Sequence, residues 1–518
     1  MASAVWLGPF LFIQHSHVAY CLKIPTFAQF LLRKVLKRKF IINLILVVFL
    51  NLLVKPFWVF GIDRTVQNVV GAEQYGFYFA LFNFSLILNI LLDLGITNYN
   101  NRHISQNESS ISLYFSNILS LRLILGVFYL AVSMLAAWLL NYDAAQLRML
   151  LLLTFNQFLL ALILYFRSNI AGLQMFKTDS IISVLDRFVL ILICSLLLWG
   201  NITDSPFRIE WFVYAQTGSY LLTAAVAFVL VLVNSGGFKL RFDYKFSLEI
   251  LKKSYPFALL TLLMSLYNRI DSVMLERLLP DGKVQAGIYA QAFRISDACC
   301  MFALLFANLL LPMFSRMLKQ GENVAGLLKL STVTMAVPVT AGALTCVFYR
   351  QQVMDLMYSS HTAASAPVFA LLISGFVAIS MTYIYGTLLT ANGSLRQLNL
   401  VAFGGMVFNI VANLVAIPRF GALGAAVVSL ATQSLTAIAQ IAIAFSIFGL
   451  KFCGRTQFKL AAYVLSVAVV GFATIRLPMS WLTNAALMLV AAGCLSVAMG
   501  LVRIGDFVKL LKINKSEN

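Results

Sequence analysis

Apolar stretches of about 20 residues, each able to cross a hydrocarbon layer roughly 30 Å thick as a helix, recur along this chain almost from end to end. Fourteen spans can be marked: 40–61, 75–97, 117–140, 147–167, 181–200, 211–233, 255–278, 287–312, 327–348, 367–390, 398–417, 422–448, 458–475 and 481–502. None alternates with the two-residue period of an outer-membrane strand, so each reads as a helix that satisfies its own backbone in lipid. With 61% hydrophobic and 11% charged residues over 518 positions, no soluble make-up fits. The expected fold is all-α, a polytopic membrane protein of about fourteen transmembrane helices.

An even number of spans puts both termini on one side, and the Lys/Arg distribution says which. Eight basic residues fall in the loops of one face: Arg64, Arg148, Arg208, Arg277, Lys283, Arg350, Arg419 and Arg476. Twenty-four fall in the loops and tails of the other, among them Arg33, Lys34, Lys37 to Lys39 and Lys252, Lys253. That bias makes the termini cytoplasmic. The net charge of +19 is then mostly topology, with some attraction to anionic membrane lipids, and nucleic acid is not an expected partner. Residues 1–30 lack a basic leader region and a small-residue cleavage site, so no signal peptide is expected. The seven cysteines show no CxxC pair and mostly lie inside apolar runs, as packed thiols do.

The organisation expected is an N-terminal cytoplasmic or interfacial segment (1–39), a first six-helix bundle (40–233), a basic interfacial connection (234–254), a second six-helix bundle (255–448), and two C-terminal helices with a basic tail (449–518). The bundles echo each other: VGAEQYGFYF at 70–79 and VQAGIYAQAF at 284–293 share Val, Ala, Tyr and Phe at identical spacing, and the same offset carries Lys55 onto Arg269. Repeats of this kind are the usual construction of secondary transporters, with the site near the repeat interface. A central cavity flanked by two pseudo-symmetric bundles follows as the expected architecture.

Charges inside the spans point to that cavity. Lys55, Asp93, Arg122, Arg269, Asp271, Arg294 and Asp297 lie in spans 1, 2, 3, 7 and 8, while spans 9 to 14 carry none in their interiors. Each costs about 2.5–3.5 kcal/mol at mid-membrane unless it meets water or a partner. Asp186 and Arg187, at the start of span 5, are expected near an interface and solvated. Asp93 and Arg122 are open to either an interfacial or a cavity role, and Arg294 and Asp297, three apart, to mutual neutralisation. Arg269 and Asp271, two apart, face different ways. A surplus of Lys and Arg suits an anionic ligand, and the Arg fork suits phosphate because it bonds two oxygens at once. The expected substrate-binding cations are Lys55, Arg269, Arg294 and Arg122, with Asp271, Asp297 and Asp93 tuning them or carrying a coupling ion.

Catalysis has no visible constellation. The four histidines are scattered, and Walker, HExxH and GxSxG motifs are absent, so no metal or other cofactor is expected. A membrane glycosyltransferase or glycan polymerase would need acid–base groups in a large outer loop, which 349–366 scarcely offers.

NRIDSVML at 268–275, GIYAQAFRISD at 287–297, ANGSLRQLNL at 391–400 and NLVAIPRFGALGAAVVSLATQ at 413–433 resemble the polysaccharide transporter family of the multidrug, oligosaccharidyl-lipid and polysaccharide exporter superfamily, over about residues 40–505. The Pro418 to Ala426 stretch is the most specific part; Pro418 and Gly421 are expected to make the turn between spans 11 and 12, and Gly424 to Ala426 to allow close helix approach. The resemblance implies spans 1, 2, 7 and 8 around the cavity, and alternating access that moves a polyprenyl-pyrophosphate-linked oligosaccharide, a surface polysaccharide repeat unit, outward across the bacterial cytoplasmic membrane. It implies glycan polymerase or glycosyltransferase machinery as neighbours. A multidrug or organic-cation antiporter, a lipid II flippase and a non-transporting scaffold stay open as alternatives.

Overall fold

A computed structural model describes residues 54, 56–94, 96, 111–173, 175–200, 205–235, 244–450 and 454–502, and every regular element among them is helical. In chain order these are a π-helical segment α1 (Phe57–Asp63), α2 (Arg64–Ile87) continued by a 3-10 turn (Leu88–Leu92), α3 (Ile111–Leu139), α4 (Ala144–Gly172), α5 (Phe176–Trp199), α6 (Ile209–Ser235), α7 (Tyr244–Leu278) and α8 (Gly282–Lys319). There follow α9 (Ala325–Phe348), a short α10 (Arg350–Met357), α11 (Thr362–Ala391), α12 (Leu395–Phe448), α13 (Gly454–Thr474) and α14 (Trp481–Ala498).

Among the described residues 12 apolar stretches are helical and long enough to span a membrane. Two of them are broken by a glycine, Gly71 (φ 79°, ψ 169°) and Gly421 (φ 55°, ψ −137°); twelve roughly matches the about fourteen expected, most of the first expected span (40–61) lying outside the described residues. At Gly421, next to Pro418, the break is the one anticipated between spans 11 and 12. A Cβ on Gly424 would lie 2.4 Å from the Ala416 carbonyl oxygen, and Ala425 and Ala426 are fully buried, so the two arms of α12 do close on small residues.

At Gly71 the break replaces a loop expected over 62–74. Asp63, Arg64, Gln67, Asn68, Glu73 and Gln74 lower the hydropathy of this stretch, yet the chain stays helical up to Gly71 and resumes at Ala72. Of these, Asp63 and Gln67 are received by protein, being 3% and 2% exposed, whereas Glu73 and Gln74 are exposed. Gly71 occupies a backbone region that glycine alone enters readily, and no atom lies within 4 Å of where its Cβ would be. Gly71→Ala is therefore expected to cost about 1–3 kcal/mol from conformation alone, read as a lower melting temperature of the detergent-solubilised protein.

Two other elements outrun their expected limits. The stretch Tyr244 to Ser254, expected within the interfacial connection, is helical and continuous with span 7, giving α7 a length of 35 residues. Helix α8 runs for 38 residues because polar turns extend span 8 at both ends.

By internal contact the chain divides into a unit of residues 1–276 with 281–287, and a unit of residues 277–280 with 288–518. Helix α7 thus counts largely with the first unit. That unit packs around α2, the most buried of its spans, with a cluster of Phe115, Ile118, Leu119, Leu121, Tyr165, Phe166 and Ile170 joining α3 to α4. In the second unit α11 lies along α12, and Val333, Val337, Tyr463, Val467 and Met488 join α9 to α13 and α14. Those last two helices are mostly uncovered, presenting Phe458, Leu465, Val469 and Val490 as a lipid-facing wall would.

Candidate functional site

The polar residues of span 2 are spaced so that each reaches a different helix, making this span the hub of the first unit. Tyr75 donates its hydroxyl to both carboxylate oxygens of Asp63 (3.0 and 2.9 Å), which fastens α1 to α2 across the Gly71 break. One turn on, Gln216 of α6 donates Nε2 to the Tyr78 hydroxyl at 2.9 Å, beneath a T-shaped contact of Tyr78 with Phe212. Asn83 accepts from Arg269 Nη1 of α7 at 2.9 Å while its own amide nitrogen donates to the Phe79 carbonyl at 3.0 Å. Asn89 donates to Gln157 of α4 at 2.9 Å, and Asp93 pairs with Arg122 of α3. In a low-dielectric interior such bonds are strong when made and expensive to leave unmade, so they fix which helices adjoin α2.

The sequence-selected residues are placed as follows. Lys55 lies outside the described residues. Arg269, 6% exposed, sits midway along the apolar part of α7 with its guanidinium on Asn83. Asp271, 1% exposed, is two residues on in the same helix. Arg294 and Asp297 are half-buried on α8 in the second unit, three residues apart.

Arg122 and Asp93 come together as an ion pair spanning 29 residues of sequence. Arg122 is 1% exposed; it also donates Nη1 to the carbonyls of Leu92 (3.3 Å) and Ala161 (3.2 Å), and its guanidinium lies 4.9 Å from the Tyr165 ring centroid. Leu92 ends the 3-10 turn, where carbonyls have no partner within the helix, so a cation there caps the C-terminus of span 2.

Asp186 and Arg187, expected to be solvated near an interface, are largely enclosed by protein, with 10% and 11% of their side chains exposed. Helix α5 starts at Phe176, which puts the pair about ten residues, on the order of 15 Å, inside it. Arg187 Nε lies 3.6 Å from Asp186, its Nη1 donates to Tyr220 at 3.0 Å, and its guanidinium is within 5.5 Å of the Trp58 ring and 5.6 Å of the Tyr220 ring. Asp186 and Arg187 thus form an aromatic-walled polar pair that reading the sequence missed. For the helix over 62–74 the available signal was the run DRTVQNVV before Gly71, too helix-compatible for a long loop. Among the described cysteines Cys194 is buried, Cys299, Cys300 and Cys346 are half-buried, and Cys494 is exposed on α14, against its expected burial.

A helical, multi-pass membrane protein with glycine-broken spans and buried charges centred on span 2 is the class defined by these features. Comparison with solved structures gives the fold. The lipid II flippase MurJ in its inward closed conformation matches with TM-score 0.64 at 13% identity, covering 88% of this chain and 98% of that one. An inward-facing multidrug resistance MATE family transporter of the MOP superfamily matches with TM-score 0.59 at 14% identity, covering 76% and 94%. A MOP superfamily transporter from Pyrococcus furiosus, whose binding pocket is of reverse polarity, matches with TM-score 0.56 at 15% identity, covering 79% and 94%.

The chain belongs to the polysaccharide biosynthesis protein family, which it matches over residues 38–318, more than half its length. An uncharacterized membrane protein of Methanocaldococcus jannaschii is 25% identical over 190 residues, 36% of this chain and 44% of that protein, so the chain matches less than half the length of that curated relative.

Proposed function

We propose that this protein is a flippase that moves a polyprenyl-pyrophosphate-linked oligosaccharide, the repeat unit of a surface polysaccharide, from the cytoplasmic to the outer leaflet of a bacterial cytoplasmic membrane, with both termini cytoplasmic and without a chemical step. The observation that carries this reading is Arg269: a guanidinium midway along an apolar helix, oriented by Asn83 from 186 positions away, within the family-matched segment. A cation there opposes a cationic drug and favours a phosphate or acidic sugar, whose oxygens the planar fork can bond in pairs. Arg294 and Lys55 serve the same head group, and Asp271 and Asp297 tune these cations or carry a coupling ion. The polyprenyl chain stays in lipid, where it loses no hydrophobic stabilisation. Arg122 and Asp93 are withdrawn from the substrate path and assigned to holding α3 on span 2.

Deleting the gene is expected to leave polyprenyl-linked repeat units accumulating on the cytoplasmic face and to deplete surface glycan, measured by extracting and sizing the lipid-linked saccharides. Accumulation of peptidoglycan lipid II in their place would identify the substrate as that of a lipid II flippase. Drug sensitivity with neither build-up would point to an antiporter, and polymerase partners would be sought only after the first outcome.

A further inference from the structure

On α8 the large apolar side chains left uncovered by protein form one line. Phe302, Leu305, Leu309 and Met313 are exposed, and the steps of 3, 4 and 4 between them, followed by 3 to Arg316, keep all five residues on one side of the helix over roughly 21 Å of its length.

The line ends in positive charge. Arg316 and Lys319 are both exposed and three apart in the helix, a spacing that makes them neighbours at about 5–6 Å. Lys329, also exposed, follows in the second turn of α9, and the turn between the two helices adds a single acid, Glu322. These helix ends belong to the face that the Lys/Arg distribution makes cytoplasmic.

Apolar surface toward lipid is ordinary for a membrane helix, and so is one cation at its cytoplasmic end. Two such cations are taken up by the protein itself: Arg167 holds Asp179 at 2.8 and 3.3 Å, and Lys459 donates to the Met499 carbonyl at 2.5 Å. Arg316, Lys319 and Lys329 make no ion pair or side-chain hydrogen bond with any described residue. Arg396 heads a comparable line on α12, formed by Leu400, Phe403 and Val407, but its own turn carries no second charge. What α8 presents is therefore an apolar strip followed by two adjacent cations, the polarity of an amphiphile with two anionic groups in its head. A lipid with one phosphate engages one of them. A diphosphate reaches both, the Arg316 fork bonding two oxygens of one phosphate and the Lys319 ammonium meeting the other.

We propose that this line is a docking site on the second unit for the polyprenyl diphosphate part of the substrate while it lies in the cytoplasmic leaflet. The chain runs along Phe302 to Met313, the diphosphate sits on Arg316 and Lys319, and Lys329 adds attraction at longer range. Docking there concentrates the substrate beside the transporter and selects it over lipids with a single phosphate. The inference rests on the flippase reading and names where its substrate is gathered.

The test titrates the purified full chain with undecaprenyl pyrophosphate, undecaprenol or phosphatidylglycerol, and counts bound lipid by native mass spectrometry. Undecaprenyl pyrophosphate is expected to bind better than either of the others. Arg316→Gln combined with Lys319→Gln is expected to weaken it about 10-fold or more, through the loss of two charge-assisted contacts, whereas Arg396→Gln leaves it unchanged. Failure to bind, equal binding of phosphatidylglycerol, or an equal loss with Arg396→Gln overturns the site. A photoreactive benzoylphenylalanine placed at Leu309 in the otherwise unaltered chain locates the lipid, and does so even if the double variant fails to fold. Irradiated cells are expected to yield an adduct carrying the lipid-linked repeat unit; adducts with phospholipid alone overturn the site. Cells lacking the gene that show no build-up of polyprenyl-linked repeat units defeat the flippase reading whatever the titration shows. Build-up in those cells, with the Leu309 adduct missing, defeats the docking site alone.

Discussion

Arg122→Ala is expected to lower stability by about 3–5 kcal/mol, the range for breaking a buried ion pair from one side. The substitution strips Asp93 of its counter-ion, leaves the Leu92 and Ala161 carbonyls without their donor, and removes the cation over Tyr165. Asp93 retains some access to solvent, its side chain being 28% exposed, which places the loss nearer the lower end. Thermal unfolding of detergent-solubilised protein reads it directly. Replacing both partners with apolar residues of similar volume, Arg122→Met with Asp93→Leu, is expected to recover much of the stability, because neither charge is then buried alone. An Arg122→Ala protein as stable as the parent but inactive in export would return Arg122 to the substrate path.

The placing of this pair shows where sequence reasoning stops. The spans themselves are legible because the bilayer imposes a length and a polarity on each one independently: about 20 apolar residues suffice, whatever the neighbours are. Partners are not legible in that way. Spacing rules within a helix reach three or four residues, whereas Arg122 finds Asp93 at 29 residues, Arg269 finds Asn83 at 186, and Gln146 finds Glu276 at 130. Asp63 was hidden for a different reason. Its surroundings are polar enough to read as a loop in water, and only the packed interior, where Tyr75 supplies both hydrogen bonds, makes helix affordable there. The enclosure of Asp186 and Arg187 was hidden because the rings that cover the pair, Trp58 and Tyr220, stand on other helices far away in sequence. Gly421 was legible because proline and glycine together mark a break, and Gly71 was not because a lone glycine inside helix-compatible sequence does not.

Arg269→Ala is expected to reduce export of the lipid-linked oligosaccharide about 10- to 100-fold, the loss of one charged hydrogen-bonding group worth about 1.5–3 kcal/mol. Combining it with Lys55→Ala is expected to deepen the defect, and rates of glycan export that survive the double substitution unchanged would remove the cationic assignment. Because Asp271 lies buried two residues away, alanine at 269 also disturbs the local charge balance, so the decisive variant is the one that keeps the charge. Arg269→Lys preserves a cation but replaces a rigid planar fork, now set by Asn83, with a flexible point charge. If the cation only balances Asp271, lysine restores export nearly fully. If it grips a phosphate through two oxygens, lysine restores melting temperature but leaves export well below the parent, and Asn83→Ala, which frees the guanidinium without removing it, gives a milder defect in the same direction. That split between stability and transport is the outcome expected, because the Asn83 amide on span 2 sets the orientation of the Arg269 guanidinium, and a lysine ammonium cannot reproduce an oriented planar fork.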